Sequence, residues 1–238
     1  MTNNLKFCDF KNLKGRHKGE VAFFFGSGPT IKKFDIANAE GSILVGVNET
    51  IFAGFQLDYL FVGDGADWKF RNRIKDFHAY EPRIAKYIGI DPRKNLDITK
   101  RIPGSVQGAI HYNTKLRGDF SANLEKDPVG RWGSISFDVM QILAFMGFQK
   151  IYLIGHDCDY KSGTFYTKFN GGNNDKSKLL SHWNKMKNFL DEQYTELEVV
   201  IVNPVALNIF LDATHEFEVK SDEICSNDSC ENGKQESS

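Results

Sequence analysis

Residues 21–30 have the sequence Val21-Ala-Phe-Phe-Phe-Gly-Ser-Gly-Pro-Thr30. The first five form a short apolar run, which is typical of a parallel β-strand covered on both faces. Gly26 and Gly28 allow a sharp turn and a close approach of the backbone to a ligand. Thr30 can then cap a helix over residues 31–37, whose N-terminus would suit a phosphate. A tight turn without a ligand is the alternative, because two glycines alone are a weak signal.

Similar apolar runs recur along the chain and alternate with segments of helical spacing. Strands are predicted at residues 42–47, 57–62, 83–90, 150–154 and 198–202, and helices at 67–78, 135–145 and 179–194. Residues 91–130 lack a period and predict an irregular insertion, and residues 161–177 predict a mobile lid. This alternation predicts an α/β fold with a single doubly wound, mostly parallel sheet.

Polar or small residues follow several of the predicted strands. They are Gly26, Asn48, Asp64, Asp157 and Asn203. In doubly wound sheets, ligands bind outside the carboxyl ends of the strands. The sequence therefore predicts that these residues meet along one rim and form a binding site there.

Three of the rim positions carry side chains with more than one possible role. Asn48 can hydrogen-bond a base or ribose, or it can close its own loop. Asp64 can hold a ribose hydroxyl or a metal, or it can form an Asx turn. Asp157 and Asp159 form a D-x-D pattern that suits Mg²⁺ bridging a diphosphate, although a carboxylate that caps a turn is the alternative.

Four further side chains can carry chemistry. Arg131 can pair with a phosphate or carboxylate, although a surface arginine in water is the commoner outcome. His182 can accept a proton from an acceptor hydroxyl, or it can be structural. Tyr160 and Tyr166 can donate to a departing phosphate, or they can simply pack. The sequence contains neither a nucleophile elbow nor a Walker A loop.

Composition excludes several classes of protein. The formal net charge of −1 argues against a nucleic-acid binder. Apolar runs fall short of the roughly 20 residues of a membrane span, and no signal peptide is expected. The four cysteines have no zinc-ligand spacing, which favours a reducing, cytoplasmic environment. We expect a lead-in at residues 1–19, one folded domain at 20–215, and a disordered acidic and polar tail at 216–238.

Four segments carry a family resemblance: Phe25-Gly-Ser-Gly-Pro-Thr30, Val47-Asn48, Arg131-x-x-Ser134 and Gly147-Phe-Gln-Lys-Ile-Tyr-Leu-Ile-Gly-His-Asp157. In this order and spacing they resemble the bacterial family-42 sialyltransferases. They also resemble the related MptE-like and Maf-type proteins, which are 6-hydroxymethylpterin diphosphokinases and flagellin glycosylation factors. The resemblance covers roughly residues 20–212 and implies a Rossmann-like fold that binds a nucleotide or nucleotide-sugar.

The resemblance implies roles on the donor side of the site. Gly26 and Gly28 match the nucleotide loop, so that the donor phosphate would lie near residues 26–30. Asn48 matches an asparagine that contacts the donor. Arg131 and Ser134 match an Arg-x-x-Ser at the head of the following helix. Ser27 stands where the sialyltransferases carry asparagine, which leaves the nucleobase open.

The resemblance also implies roles on the reacting side. Tyr160 and Tyr166 have the six-residue spacing of a tyrosine pair that hydrogen-bonds the departing phosphate. His182 matches a histidine after the lid that acts as a base. The lid between Tyr166 and His182 is shorter than in that family, which leaves the acceptor open.

The resulting hypotheses differ in their chemistry. A glycosyltransferase would transfer a sugar from a CMP-sialic-acid-like donor to a small or glycan hydroxyl acceptor, inverting the anomeric centre without a metal; Asp157 would then orient the lid. A diphosphokinase would use ATP, with Asp64, Asp157 and Asp159 holding Mg²⁺. A non-catalytic nucleotide-binding module is the third possibility, and a homo-oligomer is possible in each case. The tyrosine pair and the histidine favour the glycosyltransferase.

Overall fold

A computed structural model describes residues 6–63, 74–90, 108–159, 163–166 and 176–217. Within these residues the predicted α/β fold is confirmed. The strands are β1 (Lys6–Phe7), β2 (Val21–Phe25), β3 (Ile43–Val47), β4 (Tyr59–Val62), β5 (Ala85–Ile90), β6 (Ile110–Leu116), β7 (Val129–Arg131), β8 (Lys150–Ile154), β9 (Glu198–Val202) and β10 (Leu211–Asp212). The α-helices are α1 (Ile74–Ala79), α2 (Ile135–Met146) and α3 (Lys176–Gln193).

The strands form one sheet in which the described pairings are all parallel. The order is β1-β6-β5-β4-β3-β2-β8-β9-β10, and β7 pairs with β6. From β2 the chain builds outward through β3, β4, β5 and β6 on one side, and it then returns to place β8 on the other side of β2. The strand order therefore reverses between β2 and β8, and ligands of doubly wound sheets bind at such a point.

Strand β2 is buried on both faces, as its unbroken apolar sequence predicts. Ala22 and Phe24 pack on one face, in a core cluster that includes side chains of α2 and α3. Phe23 and Phe25 pack on the opposite face, in a second core cluster. The sheet is thus covered on both sides at β2, and the end of this strand and the loop beyond it are where a ligand can approach.

Helix α2 follows the prediction closely. Ser134 is its N-cap, and the Ser134 side chain accepts a hydrogen bond from the backbone N–H of Ser136. The helix ends at Gly147, whose φ of 83° is in the left-handed region that favours glycine. These two signals fix the ends of the helix, and its N-terminus points toward the carboxyl ends of the strands.

The predicted helix over residues 31–37 is wrong. Two short 3₁₀ turns, Pro29–Lys33 and Ile36–Ala39, take its place. Thr30 does not cap a helix, because its N–H and hydroxyl both donate to the Asp157 carboxylate. A five-residue 3₁₀ turn lacks the aligned peptide dipoles of a longer helix. A phosphate site at the N-terminus of this segment is therefore no longer expected.

The predicted irregular insertion at residues 91–130 is wrong over part of its length. Strand β6 lies within it, between β1 and β5, and β7 lies at its end. Strand β6 is not predicted from the sequence, because His111 and Thr114 interrupt its apolar pattern. Both residues are nevertheless buried. Residues 91–107 of the insertion lie outside the described residues.

The predicted lead-in packs against the sheet from residue 6 onward. Leu13 and His17 are buried. The Nε2 atom of His17 lies 2.7 Å from the Tyr59 hydroxyl oxygen. The His17 ring also stacks on the Phe148 ring, with 4.8 Å between their centroids. Most of the predicted tail, from residue 218 on, lies outside the described residues. In the part of the chain that is described, none of the helices combines the length and apolar character of a membrane span.

Candidate functional site

A cavity of about 270 Å³ opens where the strand order reverses. Its walls come from the loops after β2, β3 and β8, from the N-terminus of α2, and from one side of α3. The structure brings together on these walls several residues that the sequence singles out: Gly26, Ser27, Gly28, Asn48, Ser134, Asp157 and Asp159. Of the rim predicted from the strand ends, Gly26, Asn48 and Asp157 thus meet in one concave site. Asn203 does not belong to it, because it lines a separate cavity beyond β9.

The glycine loop after β2 lies directly against the loop after β8. The Gly28 N–H donates to the Gly155 carbonyl at 2.7 Å. A Cβ added to Gly28 would lie 2.5 Å from Asp157 Cγ and 2.6 Å from the Gly155 oxygen. A Cβ added to Gly26 would lie 2.6 Å from the same oxygen. Both glycines are thus required by the contact between the two loops, whether or not a ligand is bound.

Asp157 holds the two loops together. Its carboxylate accepts hydrogen bonds from the backbone N–H of Thr30, at 3.0 Å, and from the Thr30 hydroxyl. Burial raises the pKa of the Asp157 carboxyl above its ordinary value, and the two hydrogen bonds from Thr30 oppose that shift. Both carboxylate oxygens are engaged by the glycine loop, so this arrangement is the turn-capping alternative and does not fit a magnesium ligand well.

We expect Gly28→Ala to lower the free energy of unfolding by about 1–3 kcal/mol, because the new methyl group meets backbone and a buried carboxylate. Urea unfolding followed by circular dichroism measures this loss. Ser27→Ala, at the next position, introduces no clash and should change stability by less than about 0.5 kcal/mol. Equal stability of Gly28→Ala and the wild type would contradict the described contact between the loops.

Asn48 joins the ends of two neighbouring strands. It has a φ of 46°, in the left-handed region that asparagine tolerates. Its side-chain Oδ1 accepts a hydrogen bond from the Gly63 N–H at 3.0 Å. Asn48 therefore fixes the loop after β3 to the loop after β4 and also forms part of the cavity wall. Asp64 lies outside the described residues, and its role stays a prediction.

The N-terminus of α2 gives the cavity an electropositive end. Ser134, Ile135 and Ser136 all line the cavity. The first N–H groups of an α-helix have no partner within the helix, and the helix dipole places partial positive charge there. Helix α2 has 12 residues, which is long enough for this effect. An anionic group in the cavity would be stabilised at this end.

Arg131 does not lie on the cavity wall. It belongs to β7, and its guanidinium donates to Oδ2 of Asp138, from Nε at 2.9 Å and from Nη2. The Asp138 side chain is fully buried, and the Tyr112 hydroxyl donates to the same oxygen at 3.0 Å. The Arg131 side chain is 16% exposed. It joins β7 to α2, so it is not an arginine in water, and it is not part of the described cavity wall.

His182 is not among the residues that line the cavity, although its neighbour on α3 is. It is 8% exposed, with the Trp132 ring at 4.8 Å and the Phe137 ring at 6.0 Å between centroids. Leu179 and Trp183, its neighbours on α3, line the cavity. Burial lowers the pKa of His182, so its imidazole is neutral near neutral pH, which is the form that accepts a proton.

The described part of the predicted lid, residues 163–166, crosses the glycine loop. The Phe165 N–H donates to the Ser27 carbonyl at 3.0 Å, and Thr164 lines the cavity. The Tyr166 ring stacks on Phe52, with 4.2 Å between centroids, and it is 49% exposed. Tyr166 thus packs beside the cavity. Tyr160 lies outside the described residues, and its role stays a prediction.

His156 is a site residue that the sequence reasoning missed. It lines the cavity, is 6% exposed, and contacts the Phe24 and Trp183 rings at 4.5 Å and 5.7 Å between centroids. Burial lowers its pKa to about 3. The available signal was its position at the end of β8, one residue before Asp157. No local pattern indicates that its surroundings are apolar.

Burial of His156 makes stability depend on pH. Below its ordinary pKa of 6.5 the unfolded chain binds a proton that the folded chain, with a pKa of about 3, does not. Stability is therefore lost as the pH falls from 6.5 toward 3. Between about pH 7 and about pH 5 we expect the wild type to lose about 2 kcal/mol more than His156→Phe, by urea unfolding. Parallel pH profiles would contradict a buried neutral imidazole.

Metal-binding groups are sparse in the part of the chain that is described. Within it, no group of three or more His, Cys, Asp or Glu side chains could hold a metal ion. Cys158 lies on the cavity wall as a free thiol, and burial raises its pKa to about 12. A thiol with so high a pKa is a poor nucleophile near neutral pH.

No protein-family model matches the sequence, and no curated protein matches it. Solved structures similar to it include the sialyltransferase CST-II in complex with a trisaccharide acceptor and CMP, at 12% identity and a TM-score of 0.45, over 76% of this chain and 80% of that one. An α-2,3-sialyltransferase from Campylobacter jejuni in apo form is similar at 15% identity and a TM-score of 0.43, over 84% and 79% of the two chains.

Proposed function

We propose that the protein is a glycosyltransferase that takes a CMP-sialic-acid-like nucleotide-sugar and transfers its sugar to a hydroxyl acceptor. The observation that carries the proposal is the cavity at the reversal of strand order, which joins a glycine loop, Asn48 and the N-terminus of α2. A nucleotide-sugar needs both an anion site and polar groups for the nucleoside, and this wall supplies both. The resemblance of the motifs to the family-42 sialyltransferases adds the reaction type.

The donor phosphate belongs at the N-terminus of α2. The helix dipole places partial positive charge there, and Ser134 and Ser136 line the cavity with hydroxyl groups. Ser27 and Asn48, on the opposing loops, are the polar side chains available to the nucleoside. Arg131 supports this end indirectly, because its bond to Asp138 joins β7 to the first turns of α2.

The reaction is a direct displacement at the anomeric carbon. The acceptor oxygen forms a bond to that carbon while the bond to the phosphate oxygen breaks, and the nucleotide leaves with the electron pair. His182 takes the proton of the acceptor hydroxyl, since its lowered pKa keeps the imidazole neutral. Tyr160 and Tyr166 donate hydrogen bonds to the departing phosphate. The single displacement inverts the anomeric centre, and no metal is required.

Incubation with nucleotide-sugars tests the proposal. We expect release of CMP from CMP-sialic acid when lactose or another glycan acceptor is present, and we expect the rate to be unchanged by EDTA. UDP- and GDP-sugars, offered in parallel, show whether the nucleobase is selected. Tight binding of CMP without any turnover would instead indicate a non-catalytic nucleotide-binding module.

The diphosphokinase alternative predicts a different product. It requires Mg²⁺ at Asp64, Asp157 or Asp159, since the charge on the transferring phosphates must be neutralised. The Asp157 carboxylate, however, is engaged by Thr30 through both oxygens. This favours the glycosyltransferase. Magnesium-dependent formation of AMP from ATP and 6-hydroxymethylpterin would reverse that preference.

A further inference from the structure

A second cavity, of about 460 Å³, opens at the carboxyl ends of β9 and β10. Its walls come from the last residue of the 3₁₀ turn after the glycine loop, from the loop after β9, and from the end of β10 with the turn that follows it. None of the described residues lines both this cavity and the first one. The proposed transfer reaction therefore leaves this second cavity without a role.

Lys33 brings a permanent positive charge to the second cavity. It is exposed, and in the described part of the chain its ammonium forms no ion pair. Its charge acts at longer range on the Asp157 carboxyl, where it opposes the rise in pKa that burial causes. An anionic group in the cavity could therefore accept a charge-assisted hydrogen bond from Lys33 without displacing a carboxylate of the protein.

Asp212 lines the same cavity, and its carboxylate is already partly satisfied. Its Oδ1 accepts hydrogen bonds from the backbone N–H of Thr214, at 2.9 Å, and from the Thr214 hydroxyl, at 2.5 Å. Those two donors stabilise the negative charge, so Asp212 does not need a cation beside it. Its Oδ2 accepts from none of the described residues and is available to a hydroxyl group.

Asn203 and its two successors complete the wall. Asn203 has a φ of 53°, in the left-handed region that asparagine tolerates, and its N–H donates to the Thr214 hydroxyl at 2.8 Å. Its side-chain amide, which can both donate and accept, has no partner among the described residues. Pro204 and Val205 add apolar surface, and Val205 is 53% exposed. The wall thus combines one cation, two groups for hydroxyls and an apolar patch.

We propose that the second cavity binds an acidic sugar. The carboxylate of the sugar accepts a hydrogen bond from Lys33, and its hydroxyl groups bond to the Asn203 amide and to Oδ2 of Asp212. The C–H face of the sugar ring lies on Pro204 and Val205. His215 also lines the cavity, but these contacts do not involve its ring. The site does not depend on the proposed function, because the donor cavity shares no described residue with it.

Glucuronate is the probe, and titration followed by NMR measures its affinity. Lys33→Gln should weaken glucuronate binding by roughly tenfold, which corresponds to the loss of one charge-assisted hydrogen bond. Lys32→Gln is the matched control, because Lys32 is the adjacent exposed lysine and does not line the cavity. Wild-type protein that binds no glucuronate, unchanged binding by Lys33→Gln, or equal losses in the two variants would overturn the inference.

Two simpler ligands separate the acid from the sugar. Glucose lacks the carboxylate and acetate lacks the ring, so each should bind the wild type at least about tenfold more weakly than glucuronate does. Asn203→Gly removes the amide and accepts the left-handed φ, and it should weaken the binding of glucuronate but not that of acetate. Equal affinities for acetate and glucuronate would show that the sugar is not recognised, which contradicts the proposal.

The backbone amide signals locate the bound sugar. Glucuronate should shift the signals of Lys33, Asn203 and Thr214, whereas shifts confined to Asn48 and Ser134 would place the sugar in the first cavity and refute the inference. A parallel titration with CMP keeps the two proposals apart. Protein that binds glucuronate as described but not CMP would contradict the proposed function alone, and the reverse result would contradict this inference alone.

Discussion

Replacing Asp138 with alanine is expected to lower the free energy of unfolding by about 3–5 kcal/mol, which is the cost of breaking a buried ion pair from one side. The variant leaves the Arg131 guanidinium, 16% exposed, without the carboxylate oxygen that accepts its two hydrogen bonds. It also removes the acceptor of the buried Tyr112 hydroxyl. Urea unfolding at neutral pH measures the loss.

Two controls separate this effect from a general effect of losing charge. Asp191→Ala breaks an exposed pair with Lys187 on α3 and should cost less than about 1 kcal/mol. The double variant Arg131→Met/Asp138→Leu removes both charges and should recover much of the stability that Asp138→Ala loses. A loss below about 1 kcal/mol for Asp138→Ala would show that the pair contributes little to the fold.

His182→Ala is expected to lower kcat by about 10²–10⁴-fold, which is the usual contribution of a general base. The KM for the nucleotide-sugar should change little, because His182 acts on the acceptor and does not lie on the described cavity wall. The rate of nucleotide release with a saturating acceptor measures the effect. Full activity of the variant would remove His182 from the mechanism.

Since His182 is buried against Trp132 and Phe137, the variant needs a test of folding. Its unfolding curve should show that it is folded under the assay conditions. His182→Gln keeps most of the side-chain volume without the basic nitrogen, and it should be as inactive as His182→Ala. His215→Ala, at an exposed histidine near the end of the described chain, should retain full activity.

The parts of the fold that the sequence predicts are those set by local patterns. The apolar run of β2 and the cap residues Ser134 and Gly147 depend only on residues close to them in the sequence. The structure confirms the strand and both ends of the helix. The rim follows for Gly26, Asn48 and Asp157, because a parallel sheet places its strand ends at one edge, whereas Asn203 lies at that edge but lines another cavity.

The parts that escaped prediction depend on distant partners. Thr30 does not cap a helix, because it donates hydrogen bonds to the Asp157 carboxylate, 127 positions away in the sequence. Arg131 finds Asp138 only when β7 lies against α2. Strand β6 carries polar residues that are buried by neighbouring strands. In each case the deciding contact forms only in the assembled fold, and no local sequence pattern predicts it.

The hydrogen bonds between the glycine loop and the loop after β8 limit how the choice of ligand can change. Backbone hydrogen bonds and the Thr30–Asp157 contact hold both loops in place without help from a ligand. An insertion in either loop would break these hydrogen bonds, so neither loop can be lengthened to fit a larger donor. A redesign for another nucleobase should therefore vary the side chains at Ser27 and Asn48 and keep the loop lengths fixed.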